Sequence, residues 1–101
     1  MTRHVLFGIR AHVPGEAAAT IGRQSGCVFE QRESHCAGDY WTARIGSAVV
    51  KVMTQPDSYG DPVEGEFLAY RTLIHVDGDE PGLQIEGMVV DGHSVERLRT
   101  A

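Results

Sequence analysis

The chain has 101 residues, of which 42% are hydrophobic and 23% are charged, and its formal net charge is −5 at pH 7. This length and composition predict one globular domain over residues 1–101 that buries its core without a metal or a disulfide. The acidic balance argues against a nucleic-acid partner, because binding phosphates needs a basic surface. No apolar run is long enough for a membrane span, and the N-terminus lacks the apolar core of a signal peptide, so we expect a cytoplasmic protein without membrane contact.

The hydrophobic pattern predicts elements in the order β-α-β-β-β-β-α-β. The first strand is predicted over residues 3–11. Pro14 and Glu16 are start signals for the first helix, and Gly26 is its stop signal. A second helix is predicted from Leu83, closed by the pair Asp91-Gly92. The remaining strands are predicted over residues 27–34, 39–45, 48–54, 67–76 and 94–99.

These elements predict an α+β two-layer sandwich: a mostly antiparallel sheet of five or six strands with two helices on one face, ferredoxin-like or related. Two helices cannot cover both faces of such a sheet, so the other face meets solvent or a partner. The predicted core is Val5, Phe7, Ile9, Ile21, Phe29, Trp41, Ala43, Val50, Val52, Leu73 or Ile74, and Met88. The predicted uncovered face carries Glu30, Arg32, Tyr40, Thr42, Arg44 and Lys51.

The turn between the second and third predicted strands contains His35, Cys36 and Asp39. Thiolate and imidazole bind zinc, and an imidazole can activate a thiol. The spacing fits no structural zinc motif, and the other histidines supply no second pair of ligands. We therefore expect no metal and no other cofactor. We also expect Cys27 and Cys36 to be free thiols, because mostly extended chain separates them.

Carboxylates offer an alternative chemistry. Glu30, Glu33 or Glu66 could form an acid–base pair with Tyr40 or His75, in a pocket between the sheet and the acidic loop that follows the fourth strand. Such pairs also arise by chance in an acidic domain, and no glycine-rich phosphate loop accompanies them. We predict no catalytic residue, and a small enzyme or ligand-binding domain is the alternative function.

Three motifs in the middle of the chain form a further pattern: Arg32-Glu33-Ser34, Gly38-Asp39-Tyr40 and Phe67-x-x-Tyr70-x-Thr72-Leu73. The stretch from residue 29 to residue 76 thereby resembles small actinobacterial immunity proteins of polymorphic toxin systems, which bind and block a toxin domain. The resemblance implies a protein partner and a shared role for Arg32, Glu33, Asp39 and Tyr40. An Arg32–Asp39 ion pair that braces the hairpin is the purely structural alternative.

The function predicted is a non-catalytic protein-binding domain of the immunity-protein kind, with a basic toxin domain as its expected partner. Tyr and Arg are enriched in interface cores, although alternating charges also form ordinary cross-strand pairs. A homodimer that buries the open face is a third interpretation. The predicted partner-binding residues are Glu30, Arg32, Glu33, Asp39, Tyr40, Arg44, Lys51, Asp57, Asp61 and Glu64.

Overall fold

The computed structural model describes residues 3–34, 38–55, 60–80 and 82–100, and these ranges contain eight strands, one α-helix and one 3-10 turn. No helix in these ranges is long and apolar enough to cross a membrane. The elements are β1 (His4–Ile9), α1 (Pro14–Ser25), β2 (Glu30–Ser34), β3 (Gly38–Ile45), β4 (Ala48–Thr54), the 3-10 turn (Gly65–Phe67), β5 (Thr72–Asp77), β6 (Val89–Val90), β7 (His93–Ser94) and β8 (Glu96–Thr100).

Six strands form one sheet in the spatial order β2-β3-β4-β5-β1-β8, and every pairing in it is antiparallel. The α+β class and the six-stranded antiparallel sheet are therefore confirmed. The ferredoxin-like topology is not confirmed, because the described chain holds one helix where that topology needs two. The strands β6 and β7 pair only with each other, in a small separate hairpin.

The helix α1 begins and ends where its sequence signals predict. Pro14 stands at the first turn, and Glu16 places a negative charge at the positive end of the helix dipole. Gly26 adopts the left-handed conformation with φ of 71° and closes the helix. Ala17 and Ile21 are buried against the sheet. The chain thus crosses the sheet from β1 to the distant edge strand β2 on one face.

The connection from β5 to β8 departs most from prediction. The second helix, predicted from Leu83, is wrong: this stretch forms turns and the β6–β7 hairpin. Gly87 has φ of +83°, outside the right-handed helical region. Asp91 and Gly92 both have positive φ and join β6 to β7, as in the two-residue turns that favour Asp-Gly. The pair expected to close a helix therefore makes a hairpin.

This connection nevertheless covers the same face of the sheet as α1, as the predicted second helix would have done. Its residues Ile85 and Val90, with Val95 just before β8, are buried in one core cluster with α1 and with Phe7 of β1. The predicted core residues that are buried are Val5, Phe7, Ile9, Ile21, Val50, Val52, Leu73 and Ile74. Those that are only partly buried are Phe29, Trp41, Ala43 and Met88.

The second face of the sheet, opposite α1, is covered over half of its width. Leu6 and Leu73 are fully buried but lie on this face, outside the core cluster on the α1 side. A segment comprising residues 60–71, here called the covering segment, lies over them, and the ring of Tyr70 stands directly above Gly8 of β1. The prediction of an entirely uncovered face is therefore wrong for strands β5, β1 and β8.

The side chain of Gln55 holds the covering segment in place. It is buried, with 3% exposure. Its Nε2 donates to the carbonyl oxygens of Phe67 at 2.5 Å and Tyr70 at 2.7 Å, and its Oε1 accepts from the N–H of Glu64 at 3.0 Å. The backbone from Gly65 therefore turns tightly instead of continuing as strand, and β5 begins at Thr72 rather than Phe67.

Candidate functional site

The other half of the second face, over β2, β3 and β4, carries five of the ten predicted partner-binding residues. The strand registers place Arg32 beside Tyr40, and Thr42 beside Lys51. Side chains alternate between the two faces of a sheet. Even-numbered residues of β2 and β3 therefore lie on the same face as odd-numbered residues of β4. We call this surface the open half-face, and it consists of Glu30, Arg32, Tyr40, Thr42, Arg44, Val49, Lys51 and Met53.

Cationic side chains dominate the open half-face. Glu30 and Arg32 form an ion pair of 3.2 Å within β2. Arg44 and Lys51 have no ion-pair partner among the described residues. The surface thus carries three cations against one carboxylate, although the whole chain is acidic. The predicted Arg32–Asp39 brace does not form, because Arg32 pairs with Glu30 and the register places Asp39 on the other face.

Two predicted residues lie on the α1 side of the same hairpin. Glu33 and Asp39 are directly opposite each other in the β2–β3 register and both are exposed. Neither has an ion-pair partner in the described part of the chain. Two carboxylates in this position repel each other, which weakens the pairing at the end of the hairpin. The predicted partner-binding residues of β2 and β3 are therefore divided between two faces.

The acidic loop supplies three of the predicted partner-binding residues, and the structure describes two of them, Asp61 and Glu64. Asp57 lies outside the described residues, as do His35 and Cys36 of the hairpin turn. Asp61 is exposed and already has an interaction within the protein. Glu64 is directed onto the sheet, where its carboxylate meets Arg99 at 2.7 Å with 18% side-chain exposure.

A bulge in β8 makes the contact with Glu64 possible. The register between β1 and β8 shifts between Leu6 and Phe7. As a result Leu98 and Arg99 both lie on the second face, with Leu98 against Gly8 and Arg99 opposite Leu6. Bulges commonly redirect a side chain in this way. Nothing in the pattern of the last strand indicated this, and Arg99 was not predicted to have a role.

Three titratable residues form a hydrogen-bonded chain between the open and covered halves. His4 Nδ1 and Asp77 Oδ1 are 2.5 Å apart, and His4 Nε2 and His75 Nδ1 are 3.4 Å apart. The Nε2 atom of His75 is buried and has no hydrogen-bond partner among the described residues. Burial lowers the pKa of His75, and His4 and Arg99 lower it further, whereas Glu64 and Asp77 act in the opposite direction. His75 is therefore kept neutral.

His75 was a candidate base in the alternative acid–base chemistry, but its surroundings do not assemble that chemistry. The candidates Glu30 and Glu33 lie on opposite faces of β2, so they cannot flank one substrate. Tyr40 is two strands away from His75 in the sheet. In the described ranges, no cluster of three or more potential metal ligands is present. Cys27 is a free thiol, as predicted.

Two depressions lie on the α1 side of the sheet. A cavity of about 400 Å³ has an apolar floor that includes Val5, Phe7 and Val76, and a rim that includes Arg97 and Glu86. A groove of about 370 Å³ between α1 and β3 is lined by Phe29 and Trp41 among others. Beside this groove Val28 is 92% exposed, the most exposed large hydrophobic residue described. A third depression, of about 230 Å³, is lined by Gln55, Pro62 and Arg71 among others, and no candidate of the predicted acid–base pair is among its described lining residues.

Comparisons with known proteins add no relative. No protein-family model matches the chain, and neither a curated protein nor a solved structure is significantly similar to it. The resemblance to immunity proteins therefore stays a prediction.

Proposed function

We propose that this protein is a non-catalytic protein-binding domain, of the immunity-protein kind, that binds its partner with the open half-face. The observation that carries the proposal is the contrast between the two halves of the second face. A dedicated segment covers strands β5, β1 and β8, whereas Arg32, Tyr40 and Arg44 stand uncovered on β2 and β3. Arg and Tyr on a rigid sheet are residue types that supply much of the energy of protein interfaces.

The charge of this surface defines the partner's complementary patch. Arg44 and Lys51 have no ion-pair partner within the part of the chain that the structure describes, and such a surface charge is available for a complementary partner. The contacting patch of the partner is therefore acidic, even if the partner as a whole is basic. The charges on the open half-face, rather than the net charge of −5, determine which surface of the partner binds there.

A pull-down from the native host tests the proposal. The wild-type protein captures a partner, and the double variant Arg44→Glu, Lys51→Glu loses it, with affinity for the purified partner falling by about tenfold or more. Isothermal titration calorimetry measures that affinity. Arg23→Glu is the matched control: it reverses an exposed charge on α1, away from the open half-face, and leaves affinity unchanged.

The immunity interpretation adds a second requirement. Expression of the captured partner alone stops growth, and co-expression of this protein restores it. If the wild type and the Arg44→Glu, Lys51→Glu variant bind the partner with equal affinity, the open half-face is not the binding site. If the partner is harmless when expressed alone, the immunity role is contradicted but the protein-binding function is not.

A small-ligand site is the second candidate, and the cavity of about 400 Å³ favours it. Its floor is apolar and its rim carries charges of both signs, including Arg97 paired with Glu86 at 3.6 Å. The apolar floor is the feature that the cavity shares with small-molecule sites, whereas five of its lining residues, including Arg3 and Gln84, are polar. Methyl NMR with a fragment library tests it: ligands that shift Val5 and Val76 support a site, and no shift at either methyl contradicts it.

A further inference from the structure

The edge strand β2 is a regular strand whose residues 30–33 are exposed on both faces of the sheet. Glu30, Gln31, Arg32 and Glu33 are all exposed, although they alternate between the two faces of the sheet. The register with β3 runs without a shift over all of β2, so the backbone is straight and repetitive. Such an edge presents unpaired N–H and C=O groups that can pair with another strand.

The opposite edge of the sheet is protected in ways that β2 is not. The strand β8 contains the register shift beside Leu6 and Phe7, which interrupts regular pairing. Two of its charged side chains are also engaged: Glu96 with Arg10 at 3.3 Å, and Arg99 with Glu64 at 2.7 Å. Pairing with another strand is therefore directed to β2.

The sequence of β2 is complementary to itself in one antiparallel register. Antiparallel neighbours face each other on the same side of a sheet, so the twofold axis must pass through a residue. An axis at Arg32 sets two Arg32 side chains against each other. An axis at Gln31 sets Glu30 of each copy opposite Arg32 of the other, and the existing Glu30–Arg32 pair of 3.2 Å becomes part of a ring of four alternating charges.

We infer that two copies of this chain form a symmetric dimer by antiparallel pairing of their β2 strands, centred on Gln31. The two six-stranded sheets then form one continuous sheet, with both α1 helices on one face. The two open half-faces adjoin on the other face and make one surface of doubled width. This inference does not rest on the proposed function, since a dimer forms with or without a third partner.

Charge reversal at the two complementary positions tests the register. Glu30→Arg turns both cross-copy pairs into Arg–Arg pairs, and Arg32→Glu turns both into Glu–Glu pairs. Each single variant therefore raises the dimer dissociation constant by about tenfold or more. Glu30→Arg, Arg32→Glu together restores alternation and returns the constant to within about threefold of the wild type.

Sedimentation velocity from about 10 µM to about 1 mM covers the affinity of a small interface and measures these constants. Mixing the two single variants gives a one-to-one heterodimer, because each cross-copy pair then joins an arginine to a glutamate. Glu66→Arg, an exposed reversal in the covering segment, is the control and dimerises like the wild type. Circular dichroism verifies that each variant is folded.

Two results would overturn the inference. One is a wild-type protein that remains monomeric across the whole concentration range. The other is a dimer whose dissociation constant is the same in Glu30→Arg and Arg32→Glu as in the wild type, which would place the interface elsewhere.

Discussion

Gly8 is the residue on which the covered half of the second face depends. A Cβ atom at this position would lie 2.6 Å from Leu98 Cδ1 and 2.9 Å from the Tyr70 ring, both shorter than a van der Waals contact. The ring of Tyr70 is held there by its hydroxyl, which donates to Glu96 at 3.0 Å, and by Arg10, which lies 4.8 Å from the ring centroid. Only a residue without a side chain fits beneath it.

Gly8→Ala is expected to destabilise the protein by about 1–3 kcal/mol, because the added methyl displaces Tyr70 or Leu98. Urea unfolding monitored by circular dichroism measures the change. Gly65→Ala is the control, since a Cβ there meets nothing within 4 Å and its free energy of unfolding stays within about 0.5 kcal/mol of the wild type. Equal effects of the two substitutions would show that Tyr70 does not lie over β1.

His75 links the stability of the fold to pH. Its pKa is lowered in the folded protein, chiefly by burial, from an ordinary value of 6.5. Between the lowered pKa and 6.5, the unfolded chain binds more protons at this site than the folded one. This contribution to the free energy of unfolding is therefore complete above pH 6.5 and is lost as the pH falls toward the lowered pKa.

His75→Leu is expected to remove that part of the pH dependence. The wild type loses stability as the pH falls from about 6.5 to about 5.5, and the variant loses less over the same interval. Urea unfolding at a series of pH values gives both curves. His93→Leu is the control, because His93 is exposed and should leave the slope unchanged. A His75 pKa at or above 6.5, measured by NMR titration, would contradict this assignment.

At the scale of elements, the connection from β5 to β8 packs where the predicted second helix would have packed, but its secondary structure is different. Leu83, Met88 and Val89 suggested a second helix because they follow a helix-entry turn at residues 77–82. Leu83 and Met88 do pack against the core on the α1 side of the sheet, whereas Val89 is 60% exposed. The local backbone, however, is decided by Gly87 and by the Asp91-Gly92 turn, both with positive φ.

Gly87→Ala distinguishes the two backbone conformations by the sign of its effect. In a helix, replacing glycine with alanine stabilises by about 1 kcal/mol. At the observed φ of +83°, alanine is strained, so we expect a loss of about 1 kcal/mol. Urea unfolding decides the sign. Gly82→Ala, which has open space and no positive φ, should be nearly neutral, and a stabilising Gly87→Ala would argue for a helix.

The parts of the fold that could be predicted are those specified by residues close together in the chain. The limits of α1 follow from Pro14 and Gly26, and β4 was predicted over residues 48–54, which it occupies. The Asp91-Gly92 pair, flanked by Val90 and His93, was a hairpin signal that was interpreted as a helix stop. The covering segment could not have been predicted, because Gln55 holds it through carbonyls that no side-chain pattern reveals.

The candidate site was predictable only in part, for a related reason. Period-two alternation correctly grouped Arg32, Tyr40 and Arg44 on one face. Acidic residues were predicted to face a partner together, but Glu64 pairs with Arg99 across the sheet and Asp77 lies 2.5 Å from His4. Those pairings depend on which strands become neighbours, which the order along the chain does not specify.

At the scale of the whole molecule, Gln55 decides that one half of the second face is covered. Its amide supplies two N–H donors to the covering segment. Gln55→Glu keeps the shape but sets a carboxylate against two carbonyl oxygens, so we expect a loss of about 2–4 kcal/mol. Urea unfolding measures it. Leu68→Ala, at an exposed position of the same segment, should change stability by less than about 0.5 kcal/mol.

If Gln55→Glu is no more destabilising than Leu68→Ala, then the buried amide does not hold the covering segment. The second face would then not be divided into an open and a covered half, because all of it would be equally accessible.

The most direct measurement is paramagnetic broadening of methyl signals by a soluble gadolinium chelate. Leu6, Leu73, Val49 and Met53 all lie on the second face of one sheet, the first two under the covering segment and the last two on the open half-face. Strong broadening at Val49 and Met53, with little at Leu6 and Leu73, is the expected result. Similar broadening at all four positions would contradict a sheet face divided into a covered half and an open, partner-binding half.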